Sequence, residues 1–325
     1  MNIARGDGFE VLCVGEGLAV ALPLGDLASD AEPPRLAVHT GGAEGNVALH
    51  LAAQGISVAW ASRVGADPFG RKVRADLDRG GVDVSSVLVD PEHVTGMYVK
   101  DTLPDGGSVM HYYRANSAAS HLSPADVARF PLDRVDWVHV SGITAAISDS
   151  AAEMVGALIA GCRNHGVSVS FDVNFRARLW PVAQAAEPLA GIAREADLVF
   201  VGLDEAQELW GTPTATDVFD LLDSVPLVVV KDGAVGASEL SRRGPAPTTT
   251  FVATPAASPV ELIGAGDAFA GGYLAGLIRG EAPRDRLLRG HASAAWTIGS
   301  RDDVRPGHSP APFAPATDSP ERTAT

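Results

Sequence analysis

The feature that most constrains the fold is a regular alternation of short apolar runs with helical segments in the second half of the chain. We predict strands at 137–141, 167–173, 198–201 and 227–231. Predicted helices lie near 148–164, 182–194, 204–210, 267–279 and 285–299. This alternation is typical of an α/β protein in which a mostly parallel sheet carries helices on both faces.

The first half of the chain adds two kinds of element. Residues 11–14 and 57–64 are apolar runs that predict buried strands, and 47–53 predicts a short helix closed by Gly55. Short β-like pieces at 18–25 and 35–41 surround a loop rich in Pro and Ala, and a hairpin signal at 103–107 joins 95–100 to 108–114. We interpret these pieces as a small β excursion from the main sheet.

Composition excludes several classes of function. The 325-residue chain carries a net charge of −15, which argues against binding to nucleic acid or to an anionic membrane. No run approaches the ~20 apolar residues of a membrane span, and residues 1–10 lack a leader-like apolar core. With two isolated cysteines and no zinc-ligand pattern, a cytoplasmic protein is expected. The Pro-, Ser- and Thr-rich residues 306–325 predict a disordered tail.

The segment Gly264-Ala265-Gly266-Asp267 reads as a glycine turn that opens a helix. The first N–H groups of such a helix are unpaired, and its dipole favours negative charge, so the turn is an anion site. Asp267 would repel an anion unless it has a role of its own. Its residue type and position allow two interpretations, a general base or a helix cap.

Polar residues also follow three predicted strands, where ligands of open α/β sheets bind. They are Asp172 to Arg176, Gly202 to Glu205 and Lys231 to Gly236. Two familiar phosphate motifs fail: Gly15-Glu16-Gly17 lacks the third glycine of a dinucleotide site, and 65–72 lacks the Gly-Lys-Ser/Thr ending of a P-loop. An NAD-dependent dehydrogenase is therefore unsupported.

Four ordered motifs together resemble the ribokinase-like (PfkB) family of carbohydrate kinases over roughly residues 10–305. They are Gly41-Gly42 with Asn46, Asp172-x-Asn174-x-Arg176, Lys231-x-Gly233-x-x-Gly236 and Gly264-Ala265-Gly266-Asp267. The resemblance implies one α/β domain over 1–305, with a β lid from about 17–42 and 95–116 that covers the sugar and in many members dimerises. It therefore favours a homodimer.

The resemblance also implies ATP- and Mg²⁺-dependent transfer of a phosphoryl group to a sugar hydroxyl. Asp267 would be the base, and the backbone of Gly264, Ala265 and Gly266 the anion hole. The nucleotide side would comprise Asn174, Lys231, Asp232, Gly233 and Gly236. Glu205 would act on Mg²⁺ through water. A plain hairpin turn is the alternative for 231–236, and a solvated carboxylate the alternative for Glu205.

The sugar side looks most like that of the 2-keto-3-deoxygluconate kinases in this family. Their substrate is a sugar acid, whose carboxylate calls for a guanidinium. The implied pocket residues are Gly42, Asn46, Tyr98, Tyr112, Arg114 and Arg176. The tyrosines could instead be strand packing, Arg114 a solvated lid charge, and Arg176 a ligand of the ATP phosphates. His291 could line the adenine pocket or pack in the core.

The sequence departs from the family pattern at two places, and it also allows two further functions. Glu261-Leu262-Ile263 replaces the family's Asp-Thr, so no monovalent-cation site is carried over, and Gly202 replaces the asparagine of Asn-x-x-Glu. A kinase for fructose or another neutral sugar would keep the same chemistry. A non-catalytic sugar sensor would not need the aspartate beside a phosphate site.

Overall fold

The computed structural model describes residues 8–25, 35–102, 108–256 and 263–299. The predicted tail at 306–325, the hairpin turn at 103–107 and the departing residues Glu261 and Leu262 lie outside this part of the chain. The strands are, in chain order, β1 Phe9–Val14, β2 Leu18–Pro23, β3 Leu36–Gly41, β4 Val58–Gly65, β5 Val87–Asp90, β6 Met97–Thr102, β7 Ser108–Tyr113, β8 Val135–Ser141, β9 Ser168–Asp172, β10 Leu198–Gly202, β11 Leu227–Asp232, β12 Gly236–Ser241 and β13 Thr248–Ala253. The α-helices are α1 Ala43–Ala53, α2 Pro68–Arg79, α3 Pro124–Val127, α4 Gly142–Ala146, α5 Asp149–His165, α6 Val182–Arg194, α7 Leu203–Trp210, α8 Ala215–Leu221, α9 Ala265–Ile278 and α10 Pro283–Ile298.

The main sheet has nine strands in the order β13-β12-β11-β10-β9-β8-β1-β4-β5. Neighbours from β11 to β5 are parallel, and β12 is antiparallel to both β11 and β13. Successive residues of β1 enter two different cores: Leu12 and Val14 pack in one, Val11 and Cys13 in the other. Because side chains of a strand alternate between faces, both faces are covered. The predicted α/β fold, mostly parallel with helices on both faces, is confirmed.

A separate four-stranded sheet has the order β3-β2-β6-β7. Its strands correspond to the β excursion expected from the sequence. Leu18 and Val20 of β2 pack on Tyr98 of β6, forming a small apolar cluster of its own. This sheet is the element for which the sequence predicts a lid.

Helix α1 begins earlier than expected, at Ala43 rather than at Val47. Gly42 is its N-cap and adopts φ 129°, a conformation that favours glycine. Glu44, in the first turn, is fully buried. Its Oε1 accepts hydrogen bonds from the Ser141 backbone N–H at 3.0 Å, the Ser141 hydroxyl at 2.7 Å and Thr144 Oγ1 at 2.6 Å. The helix therefore starts within the glycine motif, where a buried carboxyl attaches it to the end of β8.

Some elements contain too few apolar residues to be predicted. Helix α2 buries Gly70, Val73 and Leu77 and is otherwise largely charged, and β12 contains the buried Glu239. That carboxylate accepts a hydrogen bond from Tyr273 at 2.7 Å and pairs with Arg286. No helix in the described part of the chain combines the length and the apolar character needed to cross a membrane.

Candidate active site

The candidate site lies at the carboxyl ends of the central strands. Ser141 at the end of β8 is paired in register with Asp172 at the end of β9, and Gly202 at the end of β10 with Lys231 of β11. Parallel pairing places these ends along one edge of the sheet. The three polar strand ends expected from the sequence are therefore neighbours.

Helix α9 starts with a glycine turn, as predicted. Gly264 is the N-cap, with φ 77° in the left-handed region, and the helix begins at Ala265. Asp267 is thus the third residue of the helix. The backbone N–H groups of this first turn have no acceptor within the helix, so they remain available to an anion.

The carboxylate of Asp267 is held by two asparagines from distant parts of the chain. Asn46 Nδ2 of α1 donates to Oδ2 at 2.9 Å, and Asn174 Nδ2, just after β9, lies 3.5 Å from Oδ1. Asn174 has φ 41°, uncommon for a residue with a side chain. The cap position belongs to Gly264, so the carboxylate is oriented by side chains of other elements.

Burial raises the pKa of Asp267 from its ordinary value to about 7. The hydrogen bond from Asn46 works to lower that pKa, whereas the neighbouring charge of Asp172 works to raise it. A carboxyl with a pKa near neutrality is a stronger proton acceptor than an ordinary aspartate and is still ionised in part at pH 7.

Lys231 supplies a cation beside the start of α9. Its Nζ pairs with Asp172 Oδ2 at 2.8 Å and lies 3.5 Å from the point that a Cβ on Gly266 would occupy. Burial works to lower the pKa of Lys231, but the carboxylates of Asp172 and Glu205 outweigh it and raise that pKa. The lysine is therefore charged, and the absence of a side chain at Gly266 leaves it close to the helix N-terminus.

Arg176 and Glu205 form the outer part of the same cluster. Arg176 Nη1 lies 3.2 Å from Glu205 Oε1, and the backbone N–H of Gly202 donates to Glu205 Oε2 at 3.0 Å. Glu205 is therefore a helix-capping carboxylate whose side chain is 16% exposed, rather than a solvated one. Nearby, Arg178 Nη1 donates to the Met110 carbonyl at 3.2 Å, which links this loop to the small sheet.

A second group of predicted residues gathers at the small sheet. The rings of Tyr98 and Tyr112 are 5.3 Å apart, and the guanidinium of Arg114 lies 5.5 Å from the Tyr112 centroid. Tyr98 is 4% exposed and Tyr112 is 41% exposed. The side chain of Arg114 is only 9% exposed and pairs with Glu16, so it is not a solvated lid charge.

The remaining residues predicted for the nucleotide side, Asp232, Gly233 and Gly236, lie at a hairpin turn. Asp232 pairs with Gly236 across β11 and β12, and Gly233 adopts φ 43°. The hairpin alternative thus describes the local geometry, and nucleotide binding by this backbone stays a prediction. His291 is buried, with Nε2 3.2 Å from the Val252 carbonyl and its ring edge-to-face with Phe269. Packing accounts for these contacts.

Two further residues, Asp172 and Glu16, have roles in the site that the sequence motifs did not indicate. Asp172 belongs to a motif, but its pairing with Lys231 depends on the register of strands 59 residues apart. Glu16 was seen only as part of a failed dinucleotide motif. In the described residues no cluster of three or more His, Cys, Asp or Glu side chains could hold a metal ion.

This chain is similar to known carbohydrate kinases in sequence and in fold. The model of the pfkB family of carbohydrate kinases matches residues 10–308. A 2-dehydro-3-deoxygluconokinase of Bacillus subtilis strain 168 is 33% identical over 276 residues, 81% of this chain and 82% of the relative. One from Thermoproteus tenax is 34% identical over 271 residues, 82% and 81% of the two chains. The structure of a putative ribokinase II from E. coli in complex with ATP and Mg²⁺ has a TM-score of 0.80 at 22% identity and covers 91% of this chain and 94% of that one.

Proposed function

Because the chain belongs to the pfkB family of carbohydrate kinases, we propose that it transfers the γ-phosphoryl group of ATP to a hydroxyl of 2-keto-3-deoxygluconate. This sugar acid, also called 2-dehydro-3-deoxygluconate, is the compound for which the two relatives are named. The observation that carries the catalytic part of the proposal is the orientation of Asp267 by Asn46 and Asn174 beside the start of α9.

Asp267 is the general base in this proposal. Two asparagines restrict its carboxylate, and a pKa of about 7 leaves it partly ionised at neutral pH. The ionised form accepts the proton of the attacking hydroxyl as the oxygen becomes a nucleophile. The same requirement argues against a non-catalytic sugar sensor, which has no use for an oriented base next to an anion site.

The residues at the start of α9 fit a transferred phosphoryl group. The backbone N–H groups of Gly264, Ala265 and Gly266 would donate to its oxygens, and Lys231 would offset their negative charge. Bound ATP supplies the phosphoryl group, and Mg²⁺ offsets the charge of its phosphates. Asn174 and the hairpin residues Asp232, Gly233 and Gly236 would hold the rest of the nucleotide.

The residues present fit a Mg²⁺ ion that is held by water and by the phosphates of ATP rather than by several protein ligands. Mg²⁺ commonly keeps several waters and binds few protein ligands, and the described residues contain no multi-residue metal cluster. Glu205 would receive a metal-bound water. Each of its oxygens accepts one hydrogen bond, from Arg176 or from Gly202, and has a second lone pair for such a water.

The small sheet is proposed as the lid of the sugar pocket, with Gly42, Asn46, Tyr98, Tyr112, Arg114 and Arg176 around the substrate. A lid excludes water, which is the competing phosphoryl acceptor. Arg114 would bind the substrate's carboxylate, and Arg176 either that carboxylate or the phosphates of ATP. A homodimer through this sheet and a cytoplasmic location, where the unpaired Cys13 and Cys162 stay reduced, complete the proposal.

One observation favours a neutral sugar as the second candidate acceptor. Both arginines proposed for the carboxylate are already paired with protein carboxylates, Arg114 with Glu16 and Arg176 with Glu205. Those pairs reduce the positive charge that a sugar acid would meet. Fructose or another neutral sugar would not need it.

Release of ADP from ATP and Mg²⁺, measured across a panel of sugar acids and neutral sugars, tests the proposal. We expect 2-keto-3-deoxygluconate to give the highest kcat/KM, with fructose at least about tenfold lower, as expected for loss of one charge-assisted contact. Activity on neutral sugars alone would overturn the sugar acid and leave the kinase. No ADP release with any sugar would overturn both.

A further inference from the structure

Glu16 is a buried carboxyl that the proposed reaction does not use directly. It lies two residues after β1 and is 2% exposed. Its Oε2 forms an ion pair with Arg114 Nη2, and its Oε1 accepts a hydrogen bond from Ser117 Oγ at 2.7 Å. The carboxyl thus joins the end of β1 to the segment by which the chain leaves the small sheet.

Two glycines make room for Glu16, one beside its side chain and one beside its backbone. A Cβ on Gly96, just before β6, would lie 2.7 Å from Glu16 Oε1 and 3.3 Å from Arg114 Cβ. A Cβ on Gly42 would lie 2.2 Å from the Glu16 carbonyl oxygen. Glu16 therefore lies where the glycine motif before α1 meets the segments that enter β6 and leave β7 of the small sheet.

The pair does not use all the donors of Arg114. A guanidinium has five N–H donors. Arg114 Nε and Nη2 are buried, and apart from the ion pair of Nη2 with Glu16 neither has a hydrogen-bond partner within 8–25, 35–102, 108–256 and 263–299. Glu16 and the Tyr112 ring restrict the guanidinium, and a donor restrained in this way loses less entropy when it binds an acceptor.

We propose that Glu16 is a positioning residue of the sugar-acid pocket. It fixes the guanidinium of Arg114 so that the remaining N–H groups face the carboxylate of the substrate. This inference rests on the proposed function, since it takes Arg114 as the partner of that carboxylate. Its expected signature is a change in KM that depends on the substrate's charge, with little change in kcat.

Steady-state kinetics of the full-length chain with ATP and Mg²⁺ test the proposal. The two probes are 2-keto-3-deoxygluconate and the same sugar with a carboxamide in place of the carboxylate. For Glu16→Ala we expect KM for the acid to rise at least about tenfold, the worth of one charge-assisted hydrogen bond, because the lost orientation of Arg114 outweighs the gain in net positive charge. We expect kcat, and KM for the carboxamide, to stay within about threefold.

Glu16→Gln is the conservative variant. Its amide oxygen can accept from Arg114 while its NH₂ donates to Ser117, so KM for the acid should stay within about threefold of wild type. Ser117→Ala removes the second support of the carboxyl and should raise the same KM by less than Glu16→Ala does. These two variants keep the test open if Glu16→Ala, which leaves a buried cation unpaired, does not fold.

Arg114→Met separates the failure of this inference from failure of the proposed function. If Arg114→Met raises KM for the acid while Glu16→Ala and Ser117→Ala do not, Glu16 does not position Arg114, and the proposed function stands. If Arg114→Met leaves that KM unchanged, the assignment of Arg114 fails and the inference fails with it. Equal losses on the acid and the carboxamide would make Glu16 a purely structural residue and overturn the proposal.

Discussion

At the scale of single residues, the site depends on opposing effects at Asp267. Burial and the charge of Asp172 favour the protonated carboxyl, whereas the Asn46 amide, Lys231 and Arg176 favour the carboxylate. The balance puts the pKa of Asp267 at about 7. An enzyme that uses this group as a base should gain activity as the pH rises toward that value.

Replacing Asp267 with Asn should reduce kcat by about 10²–10⁴, the usual contribution of a positioned base. In the wild type, kcat/KM should rise about tenfold per pH unit below pH 7 and level off above it, because the free enzyme must be ionised. The residual activity of the variant should lack this dependence. Initial rates between pH 5 and 9 measure both, and an Asn variant with wild-type rates would contradict the assignment.

Asn46 gives a graded test of the same balance. Its amide hydrogen bond lowers the pKa of Asp267, so Asn46→Ala should move the midpoint of the pH profile to higher pH. Asn46→Asp, which replaces a donor with a like charge, should move it further. The order wild type, Ala, Asp in the kcat/KM midpoints is the expected outcome. A common midpoint would mean that another group controls the profile.

At the scale of elements, the start of α1 sets the geometry of both halves of the site. Gly42 caps the helix, Glu44 attaches it to the end of β8, and Asn46 holds Asp267. The backbone at Gly42 also lies against Glu16, the partner of Arg114. A small change at this position should therefore affect stability and catalysis together.

Gly42→Ala should lower the free energy of unfolding by at least about 2 kcal/mol. The new Cβ would lie 2.2 Å from the Glu16 carbonyl oxygen, and φ 129° is strained for alanine. The matched control is Gly156→Ala in α5, where no heavy atom apart from the adjoining backbone of the helix lies within 4 Å of the added Cβ. It should stabilise by roughly 0.5–1 kcal/mol. Urea unfolding of both variants makes the comparison.

The elements differ in how well the sequence predicts them. Strands such as β9 and β10, and helices such as α5 and α6, were predicted to within a few residues. Strand β10 is a continuous apolar run, β9 alternates polar with apolar residues, and the two helices bury residues at helical spacing. Strand β12 was expected only under the hairpin alternative for 231–236, because its buried Glu239 reads as a surface residue until Tyr273 and Arg286 are folded against it. The start of α1 was misplaced because Glu44 is buried by a similar set of long-range hydrogen bonds.

At the scale of the whole molecule, buried histidines connect stability to pH. Burial lowers the pKa of His139 and of His50 from the ordinary value to about 4. Between pH 4 and 6.5 the unfolded chain therefore binds protons that the folded chain does not. Their contribution is fully present above pH 6.5 and is lost as the pH falls through that range.

His139→Asn should reduce this acid sensitivity. His139 lies between β1 and β9 in the sheet, with Nδ1 3.0 Å from Ser170 Oγ, a contact that an asparagine amide can approximate. The fall in unfolding free energy from pH 6.5 to 4 should become smaller by up to about 3 kcal/mol, the equivalent of the pKa difference. Urea unfolding at several pH values gives the slope. If the variant keeps the wild-type slope, His139 is not a cause of the acid sensitivity.

The topology of the whole molecule explains which parts of the site could be predicted from the sequence. Strand ends and the glycine turn are local signals, so the neighbourhood of Asn174, Lys231 and Asp267 was predictable. Which carboxylate each cation meets is not local: Arg114 pairs with Glu16, 98 residues earlier in the chain, and Lys231 with Asp172. Such pairs follow from the topology of two sheets, which residue periodicity does not specify.

The hydrogen bond between Asn46 and Asp267 also has a consequence for folding during synthesis. The two residues are separated by 221 positions. During synthesis α1 is therefore complete long before α9, the helix that carries Asp267, has been made. Contacts of such long range form at a high cost in loop closure. A nascent chain that has completed β1 to β11 carries most of the main sheet but lacks α9, so Asn46 and Asp267 meet only once the last helices have docked.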